Sequence, residues 1–337
     1  DIEGDGRVIH TFSAVYDENW ARDERVYIEE VVNRKNLSSN FVFPDEKRLL
    51  KDIDKLIYQQ EEPFASASLF ASWCVYSEAS KKNIKVLLNG QGADELFAYD
   101  YMAAFYFHEL FKQFKWMKLI KEVFQFNKKQ LDVLFTMKLF AFLLVPKSLK
   151  NRLINVSDLL VSKTFFKKYQ GQSSFYTDFF SVNGLNGSVR KHLQMKLNHL
   201  LRVEDKNSMM FGVEGRVPFL EMNLVKVALS IPSEFKVRNG EVKYILKNAL
   251  KNFLPKLIYN RTNKIGYETP MDKWMRSDMF IDELNKLLNE PFQPMEKYLN
   301  LKHVRKCWED HCDTKKNYSP IIWKYFYLTK WYNIYFK

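Results

Sequence analysis

The run Asn89-Gly90-Gln91-Gly92-Ala93-Asp94-Glu95-Leu96-Phe97 directly follows the apolar Val86-Leu87-Leu88 and leads into a stretch with helical spacing. A strand that ends in two closely spaced glycines and passes into Asp-Glu at a helix start forms a cradle of backbone N–H groups, with a carboxylate at its rim. Such a cradle suits a phosphate and a divalent cation. A tight strand-to-helix turn also needs glycine for steric reasons alone, so the run fixes the local path of the chain before it fixes a ligand.

The surroundings of that turn set the fold class. Residues 8–15 read as a buried strand and 23–35 as an amphipathic helix with acids in its first turn. Residues 40–43 read as a short strand, 45–58 as a helix capped at Asp45, 66–82 as another helix, and 84–88 as the strand before the turn. Strands separated by helices of this length build βαβ units and a parallel sheet, with ligands at the carboxyl ends of the strands. The 89–94 turn lies at such an end. Past Ala103 the alternation stops and the chain reads as mostly helical. The predicted class is α/β, with a parallel-sheet part over 1–102, a helical insertion rich in aromatic and basic residues over 103–188, and a helical remainder over 189–337.

With 337 residues, 46% hydrophobic and 27% charged, the chain can bury a large core and does not have the composition of a disordered one. Cys74, Cys307 and Cys312 give no disulfide framework and nothing near Asp1 reads as a signal peptide, so a reducing cytoplasm is expected. The apolar run 139–145, between Lys138 and Pro146, is too short to span a bilayer. His303, Cys307 and His311 recur at helical spacing, yet on one helix the outer two lie about 12 Å apart, too far to share an ion with bonds of about 2 Å. No metal centre is assigned to them. The aromatic Trp308, Trp323, Tyr325 and Trp331 are expected to pack the C-terminal helices.

One segment supports a different kind of function. Between 103 and 145, Phe105, Phe107, Phe111, Phe114, Trp116, Phe124 and Phe126 alternate with Lys112, Lys115, Lys118, Lys121, Lys128 and Lys129, and the chain carries a formal +12. That mixture can bind nucleic acid or lie on an anionic membrane surface. The preferred reading is an ordinary helical subdomain with aromatics in its core and lysines on a solvated face. Nucleic acid is not expected as a partner.

Five further blocks change the weight of the opening motif: Ile9-His10-Thr11-Phe12-Ser13, the stretch from Asn198 to Met209, Glu214-Gly-Arg-Val-Pro-Phe-Leu220, Val242-Lys243-Tyr-Ile-Leu-Lys247, and Lys264-Ile-Gly-Tyr-Glu-Thr-Pro270 followed by Trp274. With the opening motif and in this order, they resemble the synthetase domain of the glutamine-dependent asparagine synthetase family across residues 8–275. The resemblance implies a pyrophosphatase-type (PP-loop) ATP-binding fold. In that chemistry ATP activates a carboxylate, aspartate in the family, as its AMP ester, and ammonia displaces AMP. It implies that Asn89 and Gly90 touch ATP through the first turn of the loop, with Gly92 in the same cradle, and that the backbone of Ala14 meets the adenine. It also implies Asp94 as the Mg²⁺ ligand and Lys243 as the cation beside the phosphates. Without the resemblance the default readings are Asp94 as a helix N-cap and Lys243 as a solvated helix lysine.

The chain departs from the family pattern in several places. Gln91 stands where many members carry a glutamate tied to forming the acyl-adenylate, and glutamine cannot act as a base. Asn89 replaces a common serine, Ala98 and Tyr99 a common pair of glycines, and Gly215 and Glu221 a common alanine and aspartate. The family's Ser-Gly-Gly-x-Asp-Ser loop, on a strand just upstream of residues 9–15, occurs nowhere in the 337 residues. The glutaminase half with its terminal cysteine nucleophile has no counterpart either. The expectation is the C-terminal part of a longer enzyme, with an incomplete ATP site in this chain alone. Related amide-forming enzymes, β-lactam or macrolactam cyclases, and a non-catalytic fragment remain as alternatives, and a homodimer is an assembly the sequence allows.

Overall fold

Ile9, Thr11 and Phe12 suit an extended, half-buried chain. The strand they belong to, β1 (Ile9–Ala14), pairs in parallel with β2 (Leu37–Val42), from Ile9 opposite Leu37 to Ala14 opposite Val42. The computed structural model describes residues 8–16, 20–33, 37–129, 133–150, 160–169, 179–261, 266–289 and 293–336. The opening Asp1-Ile2-Glu3-Gly4-Asp5-Gly6 and the Lys264-Ile265 start of one block lie outside them. The helix α1 (Arg25–Val32) connects the two strands. It starts later than its acids predict because Asp23 is used outside it: the carboxylate accepts the backbone N–H groups of Tyr16 and Arg25, each at 2.7 Å, tying the end of β1 to the helix start.

The helix α2 (Glu46–Gln60) is capped by Asp45, whose carboxylate accepts the N–H of Arg48 at 2.7 Å, and it buries Leu49, Ile53, Leu56 and Ile57 on one face. Helix α3 (Ser68–Lys81) is buried over most of its length and delivers the chain to β3 (Val86–Leu88). Strand β3 pairs in parallel with β4 (Glu214–Arg216), a strand the sequence reading missed. The parallel sheet is therefore split. Among the described residues β1 and β2 form one pair and β3 and β4 another, with no strand joining them.

Two cores flank these strands. The first joins α2 and α3 to the helices Asp278–Asn289, Leu301–Cys312 and Ser319–Phe336 through residues such as Phe70, Trp73, Trp308, Trp323 and Phe326. The second is built by α5 (Ala103–Lys112), which follows the short α4 (Ala93–Phe97), with α6 (Trp116–Lys129) and α7 (Val133–Leu144). Leu185, Val189 and Val237 close it. Phe107 sits at its centre, edge-on to Phe126 at 5.6 Å and to Phe140 at 6.1 Å. The predicted burial of aromatics in this segment holds for Phe105, Phe107 and Phe126, whereas Phe114, Trp116 and Phe124 are exposed.

A hairpin of β5 (Val237–Arg238) and β6 (Glu241–Val242) caps this second core. Its turn is Asn239-Gly240, both with positive φ (50° and 70°), the backbone that a two-residue hairpin loop demands. The buried carboxylate of Glu122 accepts the N–H groups of Asn239 (3.1 Å) and Gly240 (2.9 Å). Among the described residues no helix is long and apolar enough to cross a membrane.

Candidate functional site

A cavity of about 950 Å³ runs along β1 and β3 to their carboxyl ends, and among the described residues no strand joins the two. Ala14, Asn89, Gly90 and Gln91 line it, together with Thr11, Tyr16, Tyr76 and Glu204. Two polar atoms of its wall, the hydroxyls of Thr11 and Tyr16, are buried with no hydrogen-bond partner in the structure. Orphaned polar atoms of this kind cost free energy unless a ligand or a further segment meets them.

The turn at the end of β3 is held by its own side chains. Asn89 folds back so that its Oδ1 accepts the N–H of Gln91 at 3.0 Å, and its Nδ2 donates to Glu204 at 3.3 Å. Gly90 has no left-handed φ, and a Cβ built on it would meet nothing within 4 Å. Neither turn geometry nor crowding explains this glycine; what it does is keep backbone bare at the cavity wall. Gly92 is different. Its φ of 93° and the Leu220 side chain, into which a Cβ would run, make it sterically obligatory.

Gly92 is also the N-cap residue of α4, which moves Asp94 into the first turn and rules out the N-cap reading for it. The Asp94 carboxylate is instead in direct ion-pair contact with the Lys243 ammonium, and both side chains are partly exposed. Lys243 holds a left-handed backbone (φ 54°) just before the short helix Tyr244–Ala249. For a lysine that conformation is strained and persists only where the surroundings impose it. The predicted phosphate cation and metal ligand are thus brought together, beside the cavity rather than among its lining residues. Lys247, one turn on, is engaged by Glu241.

Glu204 is the site residue that the sequence reading did not single out. It projects from the helix Asn198–Met210, and its carboxylate accepts the hydroxyls of Ser72 (2.9 Å) and Tyr76 (2.7 Å) as well as the Asn89 amide. Burial, and next the charge of Glu204, push the Tyr76 phenol far up, so it stays a neutral donor. The Tyr76 hydroxyl fills the space over β4, since a Cβ on Gly215 would come within 2.7 Å of it. Glu221 caps the helix Met222–Ser230 by accepting the N–H groups of Asn223 (2.9 Å) and Leu224 (3.0 Å), which holds its carboxyl below the usual range.

Two of the substituted positions carry visible consequences. Ala98 is fully buried with φ 82° and ψ 130°, backbone that glycine tolerates and alanine does not. The Tyr99 hydroxyl donates to the buried Glu95. Elsewhere, Cys74 lies inside α3, and burial pushes its thiol up to about 12, so it is protonated at neutral pH. His303 approaches Cys307 (Nε2 to Sγ 3.5 Å), whereas His311 accepts the N–H of Tyr318 at 3.2 Å and stacks on Trp308.

The family model described as asparagine synthase matches residues 3–333 of the chain. Glutamine-hydrolyzing asparagine synthetase 1 of Bacillus subtilis (strain 168) is 28% identical over 322 residues, which cover 88% of this chain and 47% of that protein. Glutamine-hydrolyzing asparagine synthetase 3 of the same strain is 24% identical over 294 residues, 82% of this chain and 44% of that protein. The amidase chyE of Penicillium rubens is 24% identical over 302 residues, 78% of this chain and 44% of that protein. The chain spans about half the length of these relatives.

Proposed function

Because the chain belongs to the asparagine synthase family, we propose that it carries the adenylating site of an amide-forming ligase with a PP-loop type fold. Its carboxylate substrate, aspartate in the first instance, attacks the α-phosphorus of ATP and pyrophosphate leaves. Ammonia derived from glutamine then attacks the acyl carbon of the adenylate and AMP leaves. The observation that carries this reading is the conjunction of a cavity at the carboxyl ends of two parallel strands, a bare backbone turn in its wall, and the Asp94–Lys243 pair beside it.

Each group has a task that follows from its placement. The N–H groups of Gly90 and Gly92 bind phosphate oxygens, those of Asn89 and Gln91 being engaged by Arg216 O and Asn89 Oδ1, and Gly90 lets the phosphate approach. Lys243 stabilises negative charge on the leaving pyrophosphate, with its ammonium held beside the cavity by the Asp94 carboxylate. The Asp94 carboxylate is a hard oxygen donor suited to Mg²⁺, which commonly keeps one or two carboxylates and completes its shell with phosphate oxygens and water. Bound there, the ion neutralises phosphate charge. Gln91 supplies hydrogen bonds where a glutamate would supply a base, which leaves deprotonation of the nucleophile to another group.

Among the described residues β1 and β3 each keep an edge without a strand partner, which supports a second part of the reading. A strand outside the 337 residues, carrying the Ser-Gly-Gly-x-Asp-Ser loop, completes the sheet and the phosphate site. No glutamine hydrolysis is assigned to Cys74, whose buried thiol stays protonated. The setting is a reducing cytoplasm.

The test is a pyrophosphate-release assay on the full-length protein with aspartate and alternative carboxylates. Lys243→Met lowers aspartate-dependent release by about 10²-fold at an unchanged melting temperature, and Asp94→Asn abolishes the Mg²⁺-dependent release. Lys247, whose ammonium serves Glu241, is the control, and Lys247→Met changes the rate by less than about threefold. Equal losses from both lysines would remove Lys243 from the phosphate role.

A further inference from the structure

Helix α6 has two apolar faces. Leu119 and Phe126 point into the second core, while Met117, Ile120 and Phe124, at i, i+3 and i+7, form a stripe on the other side, with Met117 83% and Ile120 65% exposed. Trp116 extends the stripe, and Phe114 stands 77% exposed at the turn before it. Phe114 keeps a left-handed backbone (φ 55°), a conformation uncommon for a bulky side chain. An exposed apolar stripe of this kind has no role in the helix's own packing.

The charges around the stripe are one-sided. Lys112, Lys115, Lys121 and Lys128 are exposed, and Lys128 lies with its Nζ 4.2 Å from the Phe124 ring centre. The acids among the described residues of 103–150 are Glu109 and Glu122, and both are turned inward. Glu109 accepts from Leu185 N (3.0 Å) and Ser233 Oγ (2.8 Å), and Glu122 from the hairpin turn. Lys118 is paired with Glu234 from outside the segment. The surface that remains is aliphatic and aromatic side chains set among lysines.

We propose that this face of α6 is a docking surface for an anionic lipid bilayer, lying in the interface with Met117, Ile120 and Phe124 immersed and the lysines at the headgroups. Charge complementarity selects that occupant. A second copy of the same face would bring lysine against lysine, and Met117 and Ile120 gain nothing from a phosphodiester backbone. This inference is independent of the proposed adenylation, because it uses none of the residues of that site.

The test is flotation of the full 337-residue chain with vesicles of phosphatidylcholine containing 30% phosphatidylserine, roughly the charge density at which polybasic surfaces bind. Binding is expected to these vesicles and not to pure phosphatidylcholine, and to fall steeply as salt is raised. Lys121→Gln with Lys128→Gln lowers the partition by about 20-fold. Met117→Ser with Ile120→Ser lowers it to a similar degree while the melting temperature stays within about 2 °C, since neither side chain is in the core. Phe124→Ser replaces the pair should it melt early. Binding that ignores lipid charge, no binding, or variants that bind as well as the parent would overturn the proposal. So would preferential capture of single-stranded DNA, or a dimer by light scattering that Met117→Ser with Ile120→Ser dissolves.

Discussion

The helical unit around Phe107 and the sheet region around the cavity close themselves in opposite ways. In the helical unit every charged group turned inward is met: Glu122 by two backbone N–H groups, Glu109 by an N–H and a hydroxyl, and the buried Lys236 ammonium by Asn186 Oδ1 at 2.7 Å. In the sheet region Val8 (59%) and Leu88 (69%) stay exposed along strand edges that no other described strand pairs. The Thr11 and Tyr16 hydroxyls are buried there without partners. Both regions leave some buried polar atoms unmet, His108 Nδ1 and Thr136 Oγ1 in the helical unit among them, and they differ in that the unmet atoms at the sheet face an open cavity.

The largest expected effect tests whether the helical unit really carries stability that the cavity edge does not. Phe107→Ala deletes a fully buried ring with two edge-on neighbours and is expected to cost about 3–5 kcal/mol, whereas Leu88→Ala at the exposed edge costs less than about 1 kcal/mol. Urea denaturation of the two variants measures both. Similar losses would mean that the edge of β3 is covered in solution.

Acid should separate the regions next. Burial lowers His192, on the buried side of the helical unit, from 6.5 to about 4, and His108 likewise. The folded value lies below the unfolded one, so the unfolded chain takes up the proton first as pH falls. The stability from this source is complete above pH 6.5 and is lost as the pH drops from there towards 4. For the fully buried His192 the loss reaches about 3 kcal/mol. Melts followed by near-ultraviolet dichroism between pH 7 and 4.5 should show the decline, and His192→Gln should flatten it. A parent curve that is level over this range would contradict the assigned burial.

A smaller effect sits at the joint between the regions, where Ala98 takes a glycine backbone. Ala98→Gly is expected to stabilise the chain by about 1 kcal/mol, reversing the usual sign of alanine-to-glycine changes. A differential scanning measurement with a lower melting temperature for the variant would show that the surroundings reward the methyl group more than the strain costs.

The parts of the molecule that could be read from sequence are those where local chemistry decides. The extended β1, the Asp45 cap of α2, and the strand-turn-helix at residues 86–97 all follow from side chains within a few positions. Strand β4 was not legible, because Glu-Gly-Arg has no strand preference and is extended only by pairing with β3. The meeting of Asp94 with Lys243 likewise depends on tertiary folding, and sequence pointed to it only through resemblance. Two signals were present and went unused. Asn239-Gly240 spells out its hairpin turn, and Glu204 lies on the inner stripe of its helix with Leu200, Val203 and Asn207, where a carboxylate invites the question of what it binds.

The contact between Tyr76 and Gly215 imposes a direction on sequence change. An alanine at 215 is compatible with this wall only after the phenol has been trimmed or has moved, so Tyr76→Phe must precede Gly215→Ala, and the opposite order passes through a collision. Trimming the phenol in turn removes one of the donors that hold Glu204. The two positions are therefore coupled in this chain: a methyl group at 215 is accommodated only with a change at the facing Tyr76 of α3.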